Sequence, residues 1–430
     1  MGRILLYILT GCVVSMYYFQ IIFSFLPSVN TKNLAAAVGL LLMALHIARY
    51  GARQLRFDVL GLLMLSGVVS IISLFSVVYN HTSDTVFVSF IVSTLIWLSG
   101  AYAVCSMIKW VHNGISFELL GNYLIAVCVF QCIMALLIEY VPEIASFVDT
   151  WVIQGQRTIR GMNRLYGIGA SLDTAGARFS ACIVILAALL VNNAKNRNGM
   201  QWYYITSFVI LAIIGNMVAR TTLVGIVCAV GYWLMTSGVA RLKFRSGSNR
   251  IWRKIVVILL IFISVSSFFY NRNGVFHELL RFGFEGFFNL VETGSWSVTS
   301  NETLASMVVF PDDLETWIIG DAYFENQNSN LNYLGAAEGG FYMGTDIGYC
   351  RFIFYFGIVG LLAMMIYMAY AARVCARSVS DYRSVFLWIL LVGYIVWCKV
   401  ATDLFLVFAM FICVGRMQTV YELSADESEI

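Results

Sequence analysis

Long apolar runs succeed one another from Ile4 to about Met417, separated by short polar joints. A helix needs roughly 17–25 such residues to cross a bilayer core. On that measure the chain predicts about twelve membrane spans, near residues 4–26, 34–48, 58–80, 85–108, 118–140, 173–192, 202–219, 221–240, 255–270, 346–370, 384–398 and 402–418. The second and eleventh are short. The expected fold is therefore all-α: a single polytopic membrane domain over residues 1–430.

Charge gives the spans a direction. With both termini placed in the cytoplasm, 17 of the 27 Lys and Arg fall on the inner side and 10 on the outer side or in its membrane ends. The inner ones crowd short joints, such as Arg49, Arg53 and Arg56, or the cluster from Arg241 to Lys254. This is the positive-inside pattern, and no joint contradicts it. Composition agrees: the chain is 60% hydrophobic and 12% charged, about half the charged fraction of a soluble domain. None of the ten cysteines lies between Asn271 and Thr345, and eight lie within apolar runs. They are expected to pack as small apolar residues, with no disulfide framework. The first run follows Arg3 without a small-residue cleavage site, so it is expected to remain as an uncleaved span.

Two outer segments exceed ordinary connection length, residues 142–172 and residues 271–345, the latter between the ninth and tenth spans. Loops of this size in a compact protein are usually functional or disordered. The larger carries Phe287, Phe288, Trp296, Trp317, Tyr323 and Tyr342, and is expected to fold over the membrane domain. All three prolines (Pro27, Pro142, Pro311) fall at outer positions, which predicts uninterrupted spans. Gly357 and Gly360 are expected to form a close-packing helix face.

The outer arginines break the charge rule and need a reason. Arg157, Arg160 and Arg164 are spaced three and four apart, on one face of a helix. Arg178 lies inside the start of the sixth span, Arg220 at the tight turn between the seventh and eighth, and Arg351 a turn or more into the tenth. An arginine near mid-bilayer costs about 2.5–3.5 kcal/mol on insertion scales, so it normally faces a polar cavity or a partner. Several converging on one face suggest a polyanion site, because guanidinium stays charged and forks onto phosphate oxygens. The alternative is snorkelling to lipid headgroups, or pairing with Asp173, Asp346 or Asp403.

Three segments carry a family resemblance. Arg164-Leu-Tyr-Gly-Ile-Gly-Ala-Ser-Leu-Asp-Thr-Ala-Gly176 resembles the Arg-x-x-Gly stretch before a span in O-antigen polymerases. Met217-Val-Ala-Arg220-Thr-Thr222 is similar to their Ser/Gly-Arg-Thr turn. Thr345-Asp-Ile-Gly-Tyr-Cys-Arg351, running on to Gly357 and Gly360, resembles their loop-to-helix motif. In the related O-antigen ligases that motif opens with a histidine, whose place Asp346 takes here, while Tyr349, Gly357 and Gly360 match the rest. This departure favours a polymerase over a ligase.

The resemblance implies a glycosyltransferase of the bacterial cytoplasmic (inner) membrane with its active site on the outer face. It would polymerise an O-antigen or capsular polysaccharide, moving the growing glycan from undecaprenyl pyrophosphate onto a lipid-linked repeat unit. The expected roles are pyrophosphate binding by Arg220 and Arg178 with Arg164, and recruitment of lipid or sugar by Arg157 and Arg160. Asp346 is the expected base, with Arg351 holding its carboxylate or touching phosphate, Tyr349 matched by the motif, and Glu338 and His277 as second choices. An N-terminal cap is the structural alternative for Asp346. No cluster has metal-ligand spacing, so metal-independent chemistry without a cofactor is expected. The expected partners are the lipid-linked oligosaccharide, membrane lipid and a protein that regulates chain length, with no nucleic acid. Two other readings share the topology: a ligase that moves finished glycan to a lipid or protein acceptor, and a transporter of lipid-linked glycan. Transporters usually show repeats and mid-membrane charges, whereas these arginines cluster at the outer rim.

Overall fold

A computed structural model describes residues 2–50, 57–154, 159, 164–196, 200–236, 274–325 and 340–428 of the protein. Among the described residues the architecture is helical, with two strands of two residues each (Ile22–Phe23 and Val152–Ile153). The chain divides into two compact units, Met1–Leu120 with Ser300–Ile430, and Gly121–Thr299.

The longer helices follow the apolar runs. They are α1 (Gly2–Tyr18), α2 (Thr31–Tyr50), α3 (Phe57–Tyr79), α4 (Phe90–His112), α5 (Phe117–Tyr140), a short α6 (Pro142–Trp151), α7 (Leu172–Asn196), α8 (Gln201–Val218) and α9 (Thr222–Thr236). Four short helices follow: α10 (Gly274–Gly283), α11 (Glu285–Thr293), α12 (Thr299–Ser306) and α13 (Leu314–Ile318). The chain ends in α14 (Gly348–Ser378), α15 (Arg383–Val396) and α16 (Phe405–Ser428). Among the described residues, α2, α3, α4, α5, α7, α8 and α14 are long and apolar enough to cross a membrane. Helices α1 and α9 and the segment Phe405–Gly415 are apolar but shorter, and the expected span 255–270 lies outside the described residues. Many large apolar side chains face outward, among them Leu41 (61% exposed), Ile71 (67%) and Val227 (63%). Exposed apolar side chains in this number suit lipid and not water. Helices also suit lipid, because each satisfies its own backbone groups.

The first helix stops earlier than its apolar run. The Thr31 hydroxyl donates to the Met16 carbonyl at 2.7 Å and accepts from the Ile21 amide at 2.9 Å, folding residues 19–30 back as a loop. Side-chain hydrogen bonding thus ends the helix at Tyr18, eight residues before the predicted boundary of 26.

In the first unit, small residues let helices approach closely. A Cβ at Gly39 would overlap the Ser99 carbonyl between α2 and α4, and one at Gly61 would overlap the Tyr370 hydroxyl between α3 and α14. Aromatic stacking closes the other end, where Phe117 lies 3.9 Å from the Tyr382 ring and Tyr382 donates to Glu118 at 2.7 Å.

Helix α14 departs from the uninterrupted span that the sequence predicts. Its 31 residues contain a break at Phe356 and Gly357, where Gly357 has φ 68° and ψ −177°. That region is open essentially to glycine alone. A side chain there would also strike the Ile318 carbonyl of α13, which packs into the break. Gly360 leaves room for the Phe356 ring. These glycines therefore serve a break and a docked loop, in place of the expected helix–helix face. Residues 358–378 alone would still extend about 31 Å at 1.5 Å per residue, enough for a bilayer core.

In the second unit, α7 is buried all round from Ala175 to Leu190. Gly176 and Ser180, four residues apart, receive the start of α9. Ser180 donates to the Thr221 carbonyl at 2.9 Å and accepts from the Gly225 amide at 3.1 Å, and a Cβ at Gly225 would overlap Ser180. Small residues at this spacing permit close helix approach in membranes. Here they pin the turn that carries Arg220.

Candidate functional site

Arg220 sits in the turn between α8 and α9. Ala219 is extended there (φ −155°, ψ 125°), and the Thr222 amide donates back to its carbonyl at 3.0 Å. The turn is anchored to α7 by a hydrogen bond from the Thr221 hydroxyl to Asp173. Anchored in this way, the turn aims the guanidinium at the segment joining α10 and α11. Its Nε donates to the Phe282 carbonyl at 2.7 Å, and Nη2 lies 2.7 Å from Glu285 Oε2. Only 17% of the Arg220 side chain and 16% of that of Glu285 are exposed.

A second arginine shares the same ring. The Arg220 guanidinium carbon lies 4.2 Å from the Phe282 centroid, and that of Arg164 lies 4.9 Å from it. Aromatic faces attract cations at this range, so one phenylalanine helps hold two like charges near each other. Arg164 Nε is buried and has no hydrogen-bond partner among the described residues. The charges act on one another. Burial, the largest influence, pushes the Arg220 pKa down; Arg164 adds to this, while Glu285 and Asp173 oppose it. Burial raises the Glu285 carboxyl, but the Thr299 hydroxyl and amide and the Arg220 guanidinium outweigh it, leaving the pKa below the ordinary value. The site is therefore a pair of guanidiniums with one carboxylate already in the anion's place on Arg220.

Arg164 also borders a cavity of about 770 Å³ between the end of α5, α6 and α10. Glu139, Asp149 and Glu278 line it, with Ser146, Thr150 and the apolar Ile138, Pro142, Ala145, Val275 and Leu279. Tyr166, itself buried, donates to Asp149 at 3.3 Å.

The other residues expected at the site are placed differently. Arg178 is 7% exposed inside α7, in the electrostatic neighbourhood of Cys128. His277 is half-buried on α10, close enough to Glu292 to influence its carboxyl, and Glu292 is itself paired to Arg281 at 2.7 and 2.9 Å. Arg157, Arg160 and Glu338 lie outside the described residues.

Asp346 and Arg351 belong to the first unit, where a connected set of hydrogen bonds builds their setting. The segment 320–324 is held by Asn80, which donates to the Gly320 carbonyl at 2.7 Å, and by Asp84, which accepts from the Phe324 amide at 2.9 Å. The Asp321 and Ala322 amides donate to the carbonyls of Phe354 and Tyr355. The segment thus presents Phe324 to Arg351. The Arg351 guanidinium carbon lies 3.6 Å from the Phe324 ring and 4.3 Å from that of Phe341, and Nη2 donates to the Phe324 carbonyl at 2.9 Å. Asp346 lies 3.6 Å from Nη1, with 25% of its side chain exposed. Arg351 therefore faces the Asp346 carboxylate and two aromatic rings. The N-cap position of α14 is Ile347, which makes no side-chain hydrogen bond, and Asp346 precedes it by one residue. Tyr349 is engaged in packing, its hydroxyl donating to the Tyr394 carbonyl at 3.0 Å and its ring set edge-on to Trp397.

Glu285, Phe282 and the three cavity carboxylates were not among the residues singled out from the sequence. A visible signal existed for one of them: Phe282-Gly-Phe-Glu285 places an acid in an aromatic, glycine-punctuated stretch of the outer loop. The chain matches no family model, no curated protein and no solved structure.

Proposed function

We propose that this protein is a membrane glycosyltransferase with about twelve spans, both termini in the cytoplasm, that polymerises a lipid-linked glycan at the outer face of a bacterial cytoplasmic membrane. The observation that carries the reading is the Arg164–Phe282–Arg220 arrangement, with a buried Arg164 Nε lacking an acceptor. In the reaction, the anomeric C–O bond to the pyrophosphate breaks and an acceptor hydroxyl oxygen forms the new glycosidic bond. The hydroxyl proton passes to a base, and the pyrophosphate leaves on its lipid. Negative charge grows on the departing oxygen, and fixed guanidiniums stabilise it without reorganising at the moment of reaction. An incoming pyrophosphate would take the unused Arg164 donor and compete with Glu285 for Arg220. The motif resemblance around Arg164, Arg220 and Asp346 supports the same reading.

The test is the size distribution of the host's surface glycan on a gel after deletion of the chain. The expected result is loss of the ladder, with single repeat units still on their final acceptor. Long polymer stranded on the lipid carrier beside a bare acceptor would mean a ligase. Re-expression of Arg220→Ala at wild-type membrane levels should fail to restore the ladder, and a full ladder would remove Arg220 from the mechanism.

A further inference from the structure

Helix α11 is turned the wrong way for a helix in water. Phe287, Leu290 and Val291 fall on one side of it, and Glu285, Asn289 and Glu292 on the other. A surface helix normally buries its apolar side against the protein and gives its polar side to solvent. Here the two acids reach back to the protein instead. Glu285 lies 2.7 Å from Arg220, and Glu292 accepts from Arg281 of α10 at 2.7 and 2.9 Å. The apolar side faces outward, with Val291 86% and Phe287 50% exposed and Leu290 exposed between them. The segment after the helix enlarges this face. Gly294 (φ 73°) turns the chain back, and Asn289 donates to the Ser297 carbonyl at 2.8 Å. Trp296 is thereby laid against Gly286, where a Cβ would overlap its ring, and stands edge-on to Phe287 at 5.0 Å. Trp296 too remains exposed.

The end of α8 sets the level of this face. A Cβ at Gly283 would meet the Met217 amide nitrogen at 3.4 Å, and Arg220 donates to the Phe282 carbonyl at 2.7 Å. Met217 and Val218 close a helix long and apolar enough to cross a membrane. Helix α11 therefore starts where such a helix would meet the headgroups. Helix α9, which leaves the same turn, carries the exposed Val227 and Met235. Apolar surface thus runs along a transmembrane candidate and reappears on the helix tied to its end.

We propose that α11 and Trp296 dock into the bilayer that holds the protein, with the apolar face lying in the headgroup–acyl boundary. Amphipathic helices in that boundary sink their apolar side about 5–10 Å, and tryptophan is enriched there. Docking would fix the depth of Glu285, and through it that of Arg220, at the layer of the lipid phosphates. The inference rests on the membrane reading and not on glycan chemistry.

The test uses the full chain in phosphatidylcholine nanodiscs, in a background without its two exposed cysteines (Cys12→Ser, Cys398→Ser). A small fluorophore is attached at Val291→Cys, at Thr293→Cys on the polar side of α11, or at Val227→Cys as the lipid-facing reference. All three positions are exposed, so the label displaces no packing. Quenching is read with lipids that carry a nitroxide on the acyl chain, and separately with aqueous iodide. The nitroxide lipid should quench the Val291 label about threefold more than the Thr293 label, with iodide giving the reverse order. Leu290→Cys should behave as Val291→Cys does. Iodide quenching at Val291 equal to that at Thr293, with no effect of the nitroxide lipid, would overturn the docking. Shielding of Val291 from both quenchers would overturn it as well, because a protein surface, such as a second copy of the chain, would then cover the face. A Val227 label untouched by the nitroxide lipid would overturn the membrane reading and the docking with it.

Discussion

At the scale of single residues, Arg351 and Arg220 have different uses for their charge. Arg351 is enclosed by two aromatic rings, one backbone carbonyl and Asp346, although its Nε, like that of Arg164, is buried without a hydrogen-bond partner among the described residues. Lysine cannot stack as a plane or fork its donors, so Arg351→Lys should lower stability by about 2 kcal/mol, read as a fall in melting temperature in detergent. An unchanged melting temperature would mean that the stack adds nothing. Arg220 is held instead by a carboxylate that another anion could replace. Glu285→Gln removes that competitor, so inorganic pyrophosphate should bind more tightly to the variant than to the wild type in a titration, while thermal stability drops. The pH dependence has a definite sign. The Glu285 carboxyl is held below its ordinary value of 4.5, and a depressed folded-state pKa adds stability that is complete above the unfolded value. That stability is lost as pH falls below 4.5 through the folded pKa. The acid-induced drop in melting temperature should therefore be smaller in Glu285→Gln than in wild type. An equal drop would show that the Arg220–Glu285 pair does not contribute.

At the scale of elements, the helices were legible in the sequence because apolar runs and helix length are local properties. Their interruptions were not. The break in α14 has no proline to announce it; it depends on Gly357 meeting the Ile318 carbonyl, a contact between segments nearly forty positions apart in the sequence. The early end of α1 depends in the same way on the Thr31 hydroxyl reaching back to Met16. The arginine turn divides along the same line. That Arg220 occupies a tight turn follows from the short gap between two apolar runs, but its partner Glu285 comes from the distant α10–α11 segment, which no spacing rule connects to it. The break itself can be tested. Gly357→Ala forces a side chain into a backbone region costing about 1–3 kcal/mol and into the Ile318 carbonyl. The expected outcome is lower membrane yield and faster protease cleavage near α13, whose docking depends on that break. Gly11→Ala, where a Cβ meets nothing within 4 Å, is the control and should behave as wild type. Wild-type behaviour of Gly357→Ala would mean that α14 can straighten without cost.

At the scale of the whole molecule, the functional reading depends on which side of the membrane each polar joint occupies. The arginines of the second unit approach a lipid-linked pyrophosphate on the outer face only if the α8–α9 turn and the α10–α11 segment are both external. Geometry already couples these two, since Arg220 bonds to Phe282 and Glu285; an assignment that put them on opposite faces would break the site. Basic residues supply the sign. The joint from Arg241 to Lys254 carries six Lys and Arg, and such joints stay cytoplasmic. The chain would then pass outward once more before α10, through the expected span at 255–270. Alkaline phosphatase fusions, active only outside the cytoplasm, test this at successive joints. Fusions after Asn113, Arg245 and Asp381 should be inactive, and fusions after Glu143, Thr221 and Glu292 active. Activity after Arg245 together with inactivity after Thr221 would invert the arrangement, leaving Arg164 and Arg220 facing the cytoplasm. There a lipid-linked glycan on the outer leaflet could not reach them, and the glycosyltransferase reading would fail with them.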